Sequence, residues 1–340
     1  MSTRVKIIAE AGVNHNGDIE LAKKLIDVAA SANVDYVKFQ TFKADTIVSR
    51  EVTMAEYQKR NTKSEKSQYE LLKKLELTHD QHELLIDYAT SKGTSFFSTA
   101  FDVDGLEYLY SLGFEMFKSP SGEITNYPYL QKLAHLGKPV ILSTGMANLD
   151  EIKDALEVLT SKQLTLDDIT VLHCNTEYPT PFDDVNLKAM KTIADECKVK
   201  IGYSDHTLGI EVPIAAVALG ATVIEKHFTM SREMDGPDHA ASLEPNELIA
   251  MVKAIRNIEM ATSGAGKKEP SNSERKNLVI ARKSIHLSRH LKKGETIDEY
   301  DILPLRPGDG ISPMQWKKII GRKVKLDLSR FHKLSPEDLQ

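Results

Sequence analysis

Eight times along this chain a short apolar, β-branched or aromatic run gives way to a longer segment with helical spacing, and this alternation constrains the fold more than any other feature. The runs Lys6–Ala9, Tyr36–Gln40, Ser95–Thr99, Glu115–Lys118, Val140–Ser143, Thr170–Cys174, Lys200–Ser204 and Val223–Phe228 read as strands. Helical spacing follows them at Ile19–Ser31, around His82–Ser91 after a longer insertion, and at Asp104–Leu112, Tyr127–His135, Asp150–Leu159, Val185–Glu196, Ile210–Leu219 and Pro245–Thr262. Strict alternation favours a parallel sheet under outer helices, closed as a (β/α)8 TIM barrel. A doubly wound open sheet is the runner-up. It would carry a glycine-rich phosphate loop after its first strand, and EAGVNHNGD lacks GxGxxG.

A barrel presents its chemistry at the carboxyl ends of its strands. Those ends carry Glu10, Asn14 and His15; Lys38 and Gln40; Thr99; Lys118, Ser121 and Glu123; Ser143 and Thr144; Asn175, Thr176 and Tyr178; Ser204 and His206; Glu225 and His227. Two imidazoles, His206 and His227, thereby reach one rim, where neutral nitrogen ligands suit Mn2+, Fe2+, Co2+ or Zn2+ with coordination positions left for a substrate oxygen. Two histidines at this spacing are more often unrelated, so the case rests on the whole rim. Lys38 and Lys118, with the hydroxyls of Thr99, Ser121, Ser143 and Ser204, form a donor-rich set for a phosphate or carboxylate. Local backbone satisfies one or two of these hydroxyls in the bland reading. Glu123, five residues after Lys118, is a candidate general base.

Other features narrow the class. With 340 residues, 41% hydrophobic and 27% charged, the chain can bury a large core. A net charge of −5 without basic runs excludes a nucleic-acid footprint. The start, MSTRVKIIAEAG, is too polar for a signal peptide, and no apolar stretch approaches a membrane span, so a cytoplasmic protein is expected. The two cysteines, Cys174 and Cys197, form no CxxC, and Cys174 reads as a buried small residue rather than a nucleophile. Residues 1–262 are read as the barrel, 263–277, rich in Gly, Ser, Pro and charge, as a linker, and 278–340 as a small β-rich module. That module has short strands at ARKSIHL and DILPLRP and an amphipathic piece, MQWKKIIG. Its size makes it marginal alone. Arg306, in the loop LPLRPGDG, could fork to a carboxylate or phosphate, or face solvent.

The segments AEAGVNHNG, VKFQTFKAD, FSTAFD, KSPSGEITNYPYL, ILSTGMA, LHCNTEYPTPFDDVNLKAM, GYSDHTLG, IEKHFT, DGPDHAASLEPNEL, IARKSI and RPGDGISPM resemble the N-acetylneuraminate (sialic acid) synthases, including legionaminic acid synthases, nearly end to end. The resemblance implies a (β/α)8 barrel followed by an antifreeze-like (SAF) domain. It also implies condensation of phosphoenolpyruvate with N-acetylmannosamine to N-acetylneuraminate and phosphate, or with 2,4-diacetamido-2,4,6-trideoxymannose to the legionaminate counterpart. It assigns Lys38, Thr99, Lys118, Ser121, Ser143 and Ser204 to phosphoenolpyruvate, with either Asn175 or Thr176, because this chain has Thr176 where some relatives have asparagine. It assigns His206 and His227 to a divalent metal, Mn2+ foremost with Mg2+ or Co2+ as alternatives. Glu123 and Glu10, with Lys118, fall to catalysis, and Gln40, Tyr178 and Asp238 to the sugar. Arg306 is implied to reach the active site of the other subunit in a domain-swapped homodimer. The alternative of another class is a catalytically silent barrel that binds metal and sugar phosphate.

Overall fold

A computed structural model of the protein describes residues 4–62 and 67–340; the polar start at residues 1–3 lies outside them. Contacts divide the chain into two units, Met1–Ser263 and Gly264–Gln340. In the first, eight parallel strands run β1 (Lys6–Gly12), β2 (Tyr36–Thr41), β3 (Ser95–Ala100), β4 (Phe117–Ser119), β5 (Val140–Ser143), β6 (Ile169–Cys174), β7 (Lys200–Asp205) and β8 (Val223–His227). Their order in the sheet is β3-β2-β1-β8-β7-β6-β5-β4, and β3 lies against β4 at the seam, which makes the expected barrel. The helices are α1 (Ile19–Ser31), α2 (Ala44–Ile47), α3 (Glu56–Thr62), α4 (Gln68–Leu75), α5 (His79–Ser91), α6 (Val103–Ser111), α7 (Tyr127–Leu136), α8 (Leu149–Leu159), α9 (Lys188–Cys197), α10 (Glu211–Ala218) and α11 (Pro245–Thr262). Starts are set by side-chain caps: Asp18 accepts the first amides of α1, and Asn148 with Glu151 closes a reciprocal box on α8.

Local chemistry moved some boundaries. The fourth strand begins at Phe117 rather than Glu115, because Glu115 points to solvent and pairs with Lys138 at 2.6 Å. The helix expected from Val185 begins at Lys188, after Asn186 takes a left-handed backbone (φ 45°) that a helix cannot continue through. The insertion after β2 is built of α2, α3 and α4.

Period-two alternation inside the barrel makes two layers. Ile8, Phe97, Ile141, Leu172 and Val223 form a buried apolar floor. Two residues further along the same strands stand Glu10, Thr99, Ser143, Cys174 and Glu225, all buried. Gly202 keeps the floor dense, since a Cβ there would lie 2.5 Å from Leu172 Cδ2. Outside the barrel, Leu25, Leu106, Leu133, Leu156, Met251 and other side chains of the helices seal against the strands in the main core.

The second unit pairs β9 (Ser284–Leu287) antiparallel to β10 (Ile302–Leu305) over a core that includes Ile285, Leu291, Val324 and Leu334. Helical turns α12 (Asn272–Arg275) and α13 (Asn277–Ala281) occur in and just after the expected linker, and MQWKKIIG supplies α14 (Trp316–Ile319).

Candidate active site

The polar layer opens into a cavity of about 540 Å3 at the carboxyl ends of the strands. Its lining includes Glu10, Lys38, Gln40, Thr99, Lys118, Ser121, Glu123, Ser143, Thr176, Tyr178, Ser204, His206, His227 and Asp238, nearly all the residues expected from the sequence. Of the two alternatives Asn175 and Thr176, only Thr176 is in this lining. The Asn175 amide donates to the Asp184 carbonyl at 2.9 Å and its side chain lines a neighbouring cavity of about 560 Å3, so Thr176 takes the position facing Ser121 and Ser143. Gly145 permits this packing: a Cβ there would lie 2.6 Å from Thr176 Cγ2 and 2.8 Å from Ser121 Oγ. Arg306 belongs to the second unit, exposed on the loop after β10.

A buried charge network joins four strands. Lys38 Nζ lies 2.7 Å from Glu10 Oε2 and 3.6 Å from Glu225 Oε2, and donates to Thr99 Oγ1 at 2.8 Å. Lys118 Nζ lies 3.8 Å from Glu225 Oε1, which also accepts from Ser204 Oγ at 3.0 Å. Burial pushes the Glu10 carboxyl up to about 7 against the pull of Lys38. For Glu225 burial pushes upward too, but Lys118 and Lys38 outweigh it and hold the carboxyl low. Burial draws Lys118 below the ordinary lysine range, whereas at Lys38 burial is overcome by Glu10 and Glu225. Glu225 is thus the counter-charge of both lysines. Sequence reading placed it at a strand end without a role; its two-residue offset from His227 was the available signal.

Burial favours the neutral form of both imidazoles. Burial lowers His206 to about 4 and carries His227 well below the ordinary histidine range. Their ring centroids are 5.4 Å apart. His206 Nδ1 donates to the Asn175 carbonyl, which leaves the Nε2 lone pair free. His227 Nδ1 is buried without a hydrogen-bond partner, 3.7 Å from Asp238 Oδ2. Neutral nitrogens with open lone pairs fit a divalent cation. Among the described residues no group of three or more His, Cys, Asp or Glu side chains is arranged to hold a metal ion, so two imidazoles are what the chain offers here.

Tyr178 is packed between His206, at 4.1 Å between rings, and Tyr57 of α3, at 4.9 Å. Glu123 sits half-buried on the turn after β4, accepts from Asn126 Nδ2 at 2.5 Å, and is raised above the carboxylate range chiefly by burial. The insertion lines the same cavity through Ile47, Val48, Tyr57, Leu71 and Leu72, a contribution that strand-end reasoning could not reach.

Comparison with known proteins agrees with this layout. Residues 25–268 match the NeuB family and residues 282–340 the SAF domain. The chain is 52% identical to an N,N'-diacetyllegionaminic acid synthase of Campylobacter jejuni, covering 93% of this chain and 94% of the relative. It is 49% identical to one of Legionella pneumophila, covering 95% and 91%. A crystal structure of the N-acetylneuraminic acid (sialic acid) synthetase of Leptospira borgpetersenii in complex with citrate superposes with a TM-score of 0.71 at 36% identity, covering 81% of this chain and 90% of that one. Barrel, rim and near full-length identity together place this chain in the NeuB family of sialic acid synthases, with a SAF domain following the barrel.

Proposed function

We propose that the chain condenses phosphoenolpyruvate with water and 2,4-diacetamido-2,4,6-trideoxymannose, giving N,N'-diacetyllegionaminate and phosphate. The observation that carries the reaction is the pair of buried lysines, Lys38 and Lys118, facing one cavity with Thr99, Ser121, Ser143 and Ser204 and with the imidazole pair. The sugar follows from 52% and 49% identity to two N,N'-diacetyllegionaminic acid synthases; N-acetylmannosamine is the second candidate, supported by the 36% identity to a sialic acid synthetase.

The residues divide the work. Lys38, Lys118 and the hydroxyls neutralise and orient the phosphate and carboxylate of phosphoenolpyruvate, and Thr176 closes that side. Gln40, Tyr178 and Asp238 face the sugar. Carbon 3 attacks the open-chain aldehyde and its carbonyl oxygen is protonated. Glu123 takes a proton from the water that adds to the cationic carbon 2, and the tetrahedral product expels phosphate. Glu10, with its carboxyl at about 7, sits against Lys38 and can hold or release a proton near neutrality. A divalent ion on His206 and His227, Mn2+ foremost and Mg2+ or Co2+ next, would polarise the aldehyde oxygen as a Lewis acid.

The assay is inorganic phosphate released from phosphoenolpyruvate. Release that requires both an amino sugar and a divalent ion is expected, whereas binding without turnover would favour a silent barrel. The active site is further proposed to be shared across a homodimer through Arg306. Arg306→Ala mixed with Glu123→Gln should then recover about a quarter of native activity, because about half the dimers are mixed and each has one whole site. Demonstrated heterodimers without recovery would overturn the sharing. No helix of the described residues is long and apolar enough to cross a membrane.

A further inference from the structure

We infer that the insertion between β2 and α5 selects the sugar by its apolar end, a refinement that rests on the functional reading above. The cavity is lined unequally. Its barrel side is charged and hydroxylated, while Ile47, Val48, Leu71 and Leu72 of the insertion, each half-buried, supply aliphatic carbon next to the uncharged amides of Gln58 and Gln68. Ile47, Leu71 and Leu72 pack with Phe101 on a small cluster of Val13, Phe42 and Leu75, separate from the main core. In this wall Ile47, Leu71 and Leu72 are therefore packed from behind and are not a stray exposed patch.

The insertion is also fixed relative to the reacting end. Arg60 of α3 pairs with Glu177 at 2.8 Å, and Asn61 donates to the carbonyls of Tyr178 at 3.2 Å and Pro237 at 2.7 Å. Tyr178 in turn lies against His206. A sugar whose aldehyde lies by the imidazoles presents the rest of its chain to what remains of the cavity, where the insertion supplies aliphatic carbon beside the side-chain amides of Gln58 and Gln68. N-acetylmannosamine would bring hydroxyls at carbons 4 and 6 to this side, and a hydroxyl set against Ile47, Val48, Leu71 or Leu72 rather than a glutamine amide is left without a partner. The diacetamido trideoxy sugar brings a methyl at carbon 6 and an acetamido group at carbon 4, whose methyls gain from burial on the aliphatic carbon while its amide has the Gln58 and Gln68 side chains as partners in the same lining.

The test is the ratio of kcat/KM for the two sugars, measured by phosphate release with the full chain. The native ratio should favour the diacetamido sugar by roughly 10², the discrimination an apolar pocket achieves against added hydroxyls. Leu72→Asn and the near-isosteric Val48→Thr should each lower that ratio by about tenfold or more, through loss on the diacetamido sugar and gain on N-acetylmannosamine. A ratio cancels any loss of folded enzyme, and Val48→Thr carries the test if Leu72→Asn fails to fold. An unchanged ratio in active Val48→Thr, or a native preference for N-acetylmannosamine, would overturn the wall while leaving the condensation intact. Phosphate release with neither sugar would overturn the functional reading and the wall with it.

Discussion

Strands β7 and β8 carry two buried polar pairs one residue apart, and the pairs behave differently. Ser204 and Glu225 are partners in the ladder and face the cavity; Asp205 and Lys226 are the next partners and face the layer of α10 and α11. The outer pair is closed on itself. Lys226 Nζ meets Asp205 Oδ2 at 2.6 Å and donates to the Thr207 carbonyl, while Asp205 Oδ1 accepts from the Thr207 amide at 3.1 Å and its hydroxyl at 2.9 Å. The inner set is left open. Glu225 Oε2 and His227 Nδ1 lack hydrogen-bond partners, and Glu10 Oε2 meets Lys38 at ion-pair distance without hydrogen-bonding geometry. An unsatisfied buried polar atom costs about 1–3 kcal/mol. Where burial is equal, the closed cluster has its polar atoms satisfied within the fold, and the open one keeps polar atoms free for a ligand.

Breaking the inner set should abolish activity and spare the fold. His206→Ala or His227→Ala is expected to lower kcat/KM by about 10³ or more, as for loss of a main electrostatic stabiliser, with the thermal midpoint little changed. Full turnover in chelator, with no metal in the protein, would contradict the assignment.

Glu123→Gln sharpens the inner side. It keeps size and hydrogen bonding but removes the base, so the rate should fall by about 10² to 10⁴ with phosphoenolpyruvate binding little affected. Because burial raises Glu123, its base form appears at higher pH than that of an ordinary glutamate. The native rate should therefore rise with pH through that titration, and the limb should vanish in Glu123→Gln. Near-normal turnover of the variant would move water activation to Glu10.

Breaking the outer pair should do the reverse. Lys226→Met strands Asp205 in the core and is expected to cost about 3–5 kcal/mol of stability, whereas Lys226→Met with Asp205→Leu should restore most of it. Denaturant unfolding decides. A single variant as stable as the native chain would mean that the closed pair is not scaffold.

Much of this was readable in the sequence because strand and helix periods are local. Alternation gave the barrel, and a polar residue at each strand end gave Lys38, Thr99, Lys118, Ser143, Ser204, His206 and His227, which the structure gathers in one cavity. Boundaries moved where one residue's own conformation decided, as at Asn186. Tertiary structure alone decided what depends on convergence. Thr176 rather than Asn175 faces the cavity, because the Asn175 amide is spent on the Asp184 carbonyl. Glu225 serves lysines from β2 and β4, which lie far from it in sequence. The insertion's leucines, read along the chain, are one helix's apolar face, and they become a wall of the cavity because α4 packs on Val13, Phe42 and Phe101, residues from the ends of distant strands. Periodicity fixes which way a side chain points from its own element; which side chains meet is set by how the barrel closes and where its loops are anchored.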